Sequence, residues 1–254
     1  MSASKDAGAQ PQEDFLYPFL EAQETDADAL LDDLAASARS KAAESAALRA
    51  ATLATYADTI AELGADMAQR FAAGGRLFTF GNGGSSTDAE TLAALFAQPV
   101  SGRALPAWSL TADMAILTAL GNDIGFEVVF ARQLEARARE NDMAIAMSTS
   151  GSSADLLRGL AWARRRGAAT IGFAGGTGGQ MSTSADVDVC FVVDSVSIHR
   201  IQESQALLGY RLFQTVQEHL AAGSSTATSA PQLDTPLHPT NAALATPGPG
   251  KGTS

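Results

Sequence analysis

Two stretches of the chain carry residue types that can hold an anion. The first is Phe80-Gly81-Asn82-Gly83-Gly84-Ser85-Ser86-Thr87-Asp88, and the second is Met147-Ser148-Thr149-Ser150-Gly151-Ser152-Ser153-Ala154-Asp155. Each follows a short apolar run and precedes residues with helical spacing, so each is predicted to leave a strand and open a helix. Glycine lets the backbone turn with positive φ and come close to a ligand. The free N–H groups of a helix start, with hydroxyls beside them, can bind an anion. The first stretch lacks the Gly-Lys-Ser/Thr ending of a P-loop and the third glycine of a dinucleotide fingerprint. Alone, it reads equally well as a Gly-rich turn with a Ser, Thr or Asp cap. The second places five hydroxyls in six positions, residues 148–153, more than one helix cap uses. No Lys or Arg falls within it, so an anion there depends on neutral donors and a helix end. That suits the phosphate of a small molecule; a Ser-rich turn is the plainer alternative.

Between these stretches, Leu120-Gly121-Asn122-Asp123-Ile124-Gly125-Phe126 puts Asn122 and Asp123 at an expected turn. Such residues are ordinary in turns and equally suited to contacting a polar ligand. Asp113 precedes a helical pattern and reads as its cap. Three histidines, His199, His219 and His238, are scattered, and Cys190 is the single cysteine. They make neither a disulfide framework nor a transition-metal site, so no metal and no cofactor are expected. Cys190 lies in an apolar run and is expected as a small buried hydrophobe. Trp108 and Trp162 are expected in the core.

The elements that must position the two stretches follow from periodicity. Residues 27–73 show apolar residues at mostly three- to five-residue steps, from Leu30 to Phe71. The wide gap between Leu34 and Leu48 predicts two helices broken near Ser37–Ser45. Short apolar runs then alternate with helical ones. Strands are predicted at Arg76–Phe80, Pro106–Leu110, Met143–Met147, Thr170–Ala174 and Val187–Val193. Helices are predicted at 86–98, 113–120, 126–140, 154–166, a short one near 179–183, and 199–221. This alternation defines an α/β fold whose parallel sheet is covered on both faces. Ligands of such sheets bind at the carboxyl ends of the strands.

Length and composition set the frame. The 254 residues suit one α/β domain with extensions, 46% of the chain is hydrophobic, and alanine fills about a fifth of it. No apolar run reaches the roughly 20 residues of a membrane span, and the N-terminus has neither the basic nor the apolar region of a secretory signal. A cytoplasmic protein without a membrane partner is expected. The net charge is −11. Residues 1–33 hold nine acids against Lys5 alone, so the rest of the chain is close to neutral. It has no basic footprint for nucleic acid. The Arg164-Arg165-Arg166 run ends a helical pattern before Gly167, where cations suit the helix dipole. Residues 1–14 are expected as a disordered polar tail and 15–222 as the folded domain. Residues 223–254, with five of the nine prolines, are expected as a disordered Pro/Gly/Ser/Thr tail.

The ordered strings GNGGSS, GNDIGF, STSGSS and RIQES resemble the SIS (sugar isomerase) domain family, in its phosphoheptose isomerase-like branch. The resemblance spans about residues 30–221. It implies a flavodoxin-like five-stranded sheet between helices with an N-terminal helical extension, assembled as a homotetramer with sites between subunits. It also implies a phosphorylated sugar as ligand. Asn82, Gly83, Gly84 and Ser85 would line the pocket, Asn122 and Asp123 would contact the sugar, and Ser148, Thr149, Ser150 and Ser153 would cradle the phosphate. Gln202 would reach in from the last helix. Isomerases of this branch interconvert ketose and aldose phosphates, such as sedoheptulose 7-phosphate, through an enediol. They place a His and a Glu one turn apart on the helix after the first loop and a second His two turns beyond the Gln; some bind zinc there. The matching positions here hold Thr91, Leu95 and Tyr210. Leucine moves no proton, and the tyrosine reference pKa of ~10 is poorly matched to base work at neutrality. His199 and Glu203 are the substitutes considered for catalysis, each with a structural alternative, surface or cap for His199 and motif scaffold for Glu203. Glu90 points about 100° away from Thr91 around the helix. The family also contains a replication initiator-associating protein that tetramerises and binds a protein partner. The resemblance therefore leaves open an enzyme and a regulatory or assembly protein.

Overall fold

The computed structural model describes residues 27–227. The tail expected at 1–14 and most of the one expected at 223–254 lie outside the described residues. Helix α1 (Ala27–Thr55) and helix α2 (Ala57–Ala72) lead into strand β1 (Leu77–Gly81) and helix α3 (Gly84–Ala97). Strand β2 (Ala107–Ser109), helix α4 (Met114–Asp123), a 3-10 turn (Phe126–Val128) and helix α5 (Val129–Arg137) follow. The chain continues through β3 (Met143–Met147), α6 (Ala154–Arg165), β4 (Ala169–Gly175), a second 3-10 turn (Met181–Thr183), β5 (Val189–Val193) and α7 (Ile198–Ala227). The five strands are all parallel, in the order β2-β1-β3-β4-β5. This is the flavodoxin-like winding, whose direction reverses between β1 and β3.

Alternation along the strands divides the core into two layers. Leu77, Met143, Ile145, Ile171 and Phe173 face a cluster shared with α2, α3 and α7, where Met67, Phe96 and Leu212 are fully buried. Phe78, Phe80, Ala144 and Ala146 face a second cluster with Phe130 and Leu134 of α5 and Leu156 and Leu160 of α6. Every residue of β1, β3 and β4 is buried, which is why these strands read as unbroken apolar runs. Each fully buried Phe or Leu contributes about 1.5–3 kcal/mol of transfer free energy.

Four expectations need correction. The break in the N-terminal helical stretch falls at Tyr56, not near Ser37–Ser45. The Leu34–Leu48 gap is an exposed stretch of one long helix, stitched by a Ser40 hydroxyl donating to Glu44 at 3.0 Å. At the true break the Tyr56 hydroxyl accepts from Val192 N–H at 2.8 Å and donates to Val192 C=O at 3.3 Å. It thus satisfies backbone groups of the edge strand β5, which have no neighbouring strand. Trp108 is half exposed, because β2 is the opposite edge; its ring stacks on Phe78 at 6.2 Å. The last helix continues to Ala227, past residue 221. The Asp113 cap is present, with its carboxylate accepting from Ile116 N–H at 3.1 Å. Cys190 is only partly buried, and that burial pushes its thiol up to about 11.

Candidate functional site

The two hydroxyl-rich loops stand side by side at the carboxyl ends of β1 and β3, the two strands that flank the reversal point. A direct bond joins them. Asn82 Nδ2 donates to Asp155 Oδ2 at 2.8 Å. Asp155 is buried in the first turn of α6, where a carboxylate also suits the positive end of the helix dipole.

The first loop makes its turn through Gly83, the residue before α3, at φ 54°. The next residue, Gly84, is constrained by proximity: a Cβ there would lie 2.8 Å from Gln202 Nε2. The Gln202 side chain therefore lies across the first turn of α3, and its Nε2 donates to Asp88 Oδ2 at 2.7 Å. Ser85 is buried behind the loop. In the second loop, Ser148 Oγ accepts from Gly151 N–H at 2.9 Å and from Ser150 N–H at 3.3 Å. Ser148 thus shapes the loop from within. Ser150 is exposed, with only contacts of 3.4 Å and longer to its side chain. Ser153 precedes α6 and makes no side-chain cap bond. Thr149 is partly buried beside it.

Helix α7 closes the third side. Besides Gln202, it contributes Gln205, fully buried, whose Nε2 donates to Ser148 C=O at 2.7 Å. Two ion pairs hold the start of α7 to α1: Arg49 with Glu203 at 3.0 Å and Arg200 with Glu44 at 2.6 Å. The Ser40 hydroxyl and the Arg200 guanidinium hold the Glu44 carboxyl below its ordinary value. Glu203 therefore faces α1 and Arg49, and His199 is exposed at the start of α7. Asn122 and Asp123 end α4 on an exposed surface and bond to each other at 2.7 Å. No hydrogen bond joins them to the two loops within one chain, among the described residues.

Sequence reasoning missed Asp88, Asp155 and Gln205 as partners of the site. Gln205 was within reach of inference, since it lies three residues after Gln202 and shares its helix face. Thr91 and Leu95 line a small cavity of about 70 Å³ between α3 and α7, together with Asp88, Met147 and Gly209. Tyr210 is half exposed next to it in sequence. Zinc needs imidazole, thiolate or carboxylate ligands. Thr91, Leu95 and Tyr210 offer none, and among the described residues no group of three or more His, Cys, Asp or Glu is placed to hold a metal. The residues present do not fit that ion.

The fold is a doubly wound α/β domain with the two candidate loops at its reversal point. Residues 42–175 match the family model described as SIS domain. A phosphoheptose isomerase of Aquifex aeolicus is 42% identical over 177 residues, covering 69% of this chain and 92% of that protein. Another, from Roseiflexus sp., is 41% identical over 171 residues, covering 66% of this chain and 86% of that protein. Among solved structures, the phosphoheptose isomerases of Francisella tularensis and Neisseria gonorrhoeae superpose with a TM-score of 0.67 each. They share 28% and 29% identity and are covered over 98% and 99% of their length, with 74% and 73% of this chain. The chain belongs to the SIS domain family, in its phosphoheptose isomerase-like branch.

Proposed function

We propose that this protein binds a phosphorylated sugar of the sedoheptulose 7-phosphate type at the β1–β3 reversal point and lacks the proton-transfer groups of its isomerase relatives. The phosphate lies against the 148–153 loop and the N-terminus of α6, held by Thr149, Ser150 and Ser153. The sugar runs along Asn82–Ser85 toward Gln202. Kinship with proteins named phosphoheptose isomerase supports the ligand class. The observation that carries the catalytic half is the cavity between α3 and α7, where Thr91 and Leu95 stand. An aldose–ketose interconversion needs a base at the carbon next to the carbonyl and an acid to return the proton, each worth about 10²–10⁴-fold. Within one chain neither His199 nor Glu203 lines that cavity; Glu203 pairs with Arg49 and His199 is exposed.

The sites are completed by other copies of the chain, with Asn122 and Asp123 of one copy meeting the loops of another. The exposed apolar residues of α4 and its surroundings support this reading. They equally favour a second one, an assembly protein that presents this surface to a protein partner. One experiment separates turnover from binding. Purified protein is incubated with sedoheptulose 7-phosphate in deuterated water, and exchange at the carbon next to the carbonyl is followed alongside thermal unfolding. The expected result is ligand-dependent stabilisation with no exchange above background. Exchange that disappears in His199→Ala or Glu203→Ala overturns the non-catalytic reading, and no stabilisation overturns the ligand.

A further inference from the structure

Two amide side chains stand at the sugar end of the proposed site, and a carboxylate fixes each of them. Asn82 Nδ2 donates to Asp155 Oδ2 at 2.8 Å, and Gln202 Nε2 donates to Asp88 Oδ2 at 2.7 Å. A carboxylate oxygen only accepts, so neither amide can turn about without losing its bond. The hold is firmest at Asp155. It is buried, and the Asn82 amide is its one side-chain hydrogen-bond partner among the described residues. A buried acceptor that loses its donor is costly, which keeps the Asn82 amide in its orientation.

Fixing the two nitrogens leaves the two carbonyl oxygens for a ligand. Neither Asn82 Oδ1 nor Gln202 Oε1 receives a hydrogen bond among the described residues, and neither is sealed from solvent. Gln202 Oε1 would lie 3.6 Å from a Cβ at Gly84, so it stands over the first loop. The donors of that loop are partly spent: Ser85 N–H goes to Asn82 C=O and Ser86 N–H to Gly83 C=O, each at 3.0 Å. The two ends of the site therefore differ in polarity. The Ser-rich loop and the start of α6 supply donors, which suit a phosphate. The amide end supplies acceptors, which suit hydroxyl hydrogens. A hydroxymethyl group can donate to either oxygen. A carboxylate has no hydrogen to give, and the amides cannot turn their N–H groups toward it while Asp155 and Asp88 hold them.

We infer that Asp155 and Asp88 are positioning residues that set the sugar end of the site to accept hydrogen bonds, so that it takes a hydroxyl-terminated sugar phosphate and rejects one oxidised to an acid at that end. This rests on the phosphosugar reading and deepens it. The test is calorimetric titration of the full chain with glucitol 6-phosphate and 6-phosphogluconate, two open-chain probes that differ only at carbon 1, far from the phosphate. Sedoheptulose 7-phosphate is the control for the phosphosugar site. Glucitol 6-phosphate is expected to bind about tenfold more tightly or better, the worth of a hydrogen bond that the acid cannot make. Asp155→Leu frees the Asn82 amide to turn and is expected to cut that preference about threefold or more. Loss of the Asp155 charge favours an acid by itself, so Asn82→Leu is the companion variant. It keeps the carboxylate and removes the amide, and it is expected to cut the preference as well. A preference that stays or widens in Asn82→Leu is charge repulsion and overturns the positioning role. Equal affinities in the parent, or an unchanged preference in Asp155→Leu, overturn it too, while binding of sedoheptulose 7-phosphate leaves the phosphosugar reading standing. Thermal melts check that each variant is folded, and the parent comparison decides where one is not. Failure of all three probes to bind overturns both readings.

Discussion

Among the five hydroxyls of the 148–153 loop, the bonds that each side chain already makes separate scaffold from ligand contact. Ser148 is buried and receives two backbone N–H groups of its own loop. Its removal leaves those donors unpaired, at about 1–3 kcal/mol for buried groups. Ser150 is exposed, and its shortest side-chain contact is 3.4 Å. Ser150→Ala is therefore expected to leave the melting temperature unchanged and to weaken sedoheptulose 7-phosphate binding about tenfold or more, the worth of one hydrogen bond to a charged group. Ser148→Ala is expected to lower both. Parallel thermal melts and calorimetric titrations check the pair; unchanged affinity in Ser150→Ala removes that hydroxyl from the phosphate contacts. Cys190 stands apart from this chemistry. With its thiol pushed up to about 11 by burial, its thiolate fraction near neutrality is about a hundredfold below that of an ordinary thiol of pKa 9, and alkylation slows accordingly.

At the level of elements, the junction of β4, β5 and α6 is tied by one carboxylate. Burial pushes the Asp188 carboxyl up, but the Thr170 N–H and hydroxyl, each at 2.9 Å, and the Arg164 guanidinium outweigh it and hold it below its ordinary value. A carboxylate depressed in the folded state stabilises above its unfolded pKa and loses that contribution as pH falls through the folded value. The loss therefore falls below about pH 4. Asp188→Asn is expected to be less stable than the parent at pH 7 and to lose less on going to pH 3, as read from urea midpoints at both pH values. An equal loss in both proteins places the acid sensitivity elsewhere. These elements were largely legible in advance. Strand β3 matches its expected span, Met143–Met147, because burial on both faces leaves an unbroken apolar run. The edge strand β2 is shorter than expected, three residues. The helix expected over 126–140 begins as a 3-10 turn after Gly125 at φ 128°, a change of winding that apolar spacing does not encode. The site was legible where its chemistry is local, in the composition of the two loops. It was not where partners lie far apart in sequence. Asn82 meets Asp155 across 73 positions, Gln205 meets Ser148 across 57 and Gln202 meets Asp88 across 114, and only the winding of the sheet brings such pairs together.

For the whole molecule, the surface of one chain is the unexplained quantity. Helix α4 is strongly apolar in sequence, yet none of its residues is buried. Met114, Ile124, Phe126 and Trp108 are each about half exposed or more, as are Leu31 and Leu34 of α1. Scattered apolar residues on a surface are ordinary, but a grouped set marks a contact. At about 25 cal/mol per Å² of apolar area removed from water, covering such a face offsets the cost of association. The proposed second copy does so, and the same step brings Asn122 and Asp123, which form no hydrogen bond to the two loops of their own chain among the described residues, to a neighbour's site. The protein is expected to sediment as a multiple of its 26.1 kDa chain mass at micromolar concentration. Phe126→Glu with Ile124→Glu places two carboxylates on the face, and their desolvation shifts the particle toward the single chain. If the site is shared, the same double variant also loses sedoheptulose 7-phosphate affinity, although neither residue lies in the 82–85 or 148–153 loops. Sedimentation and titration on one preparation read both effects. A variant that becomes a single chain and keeps full affinity separates assembly from binding and confines the site to one subunit; a parent protein that sediments as one chain removes the second copy altogether.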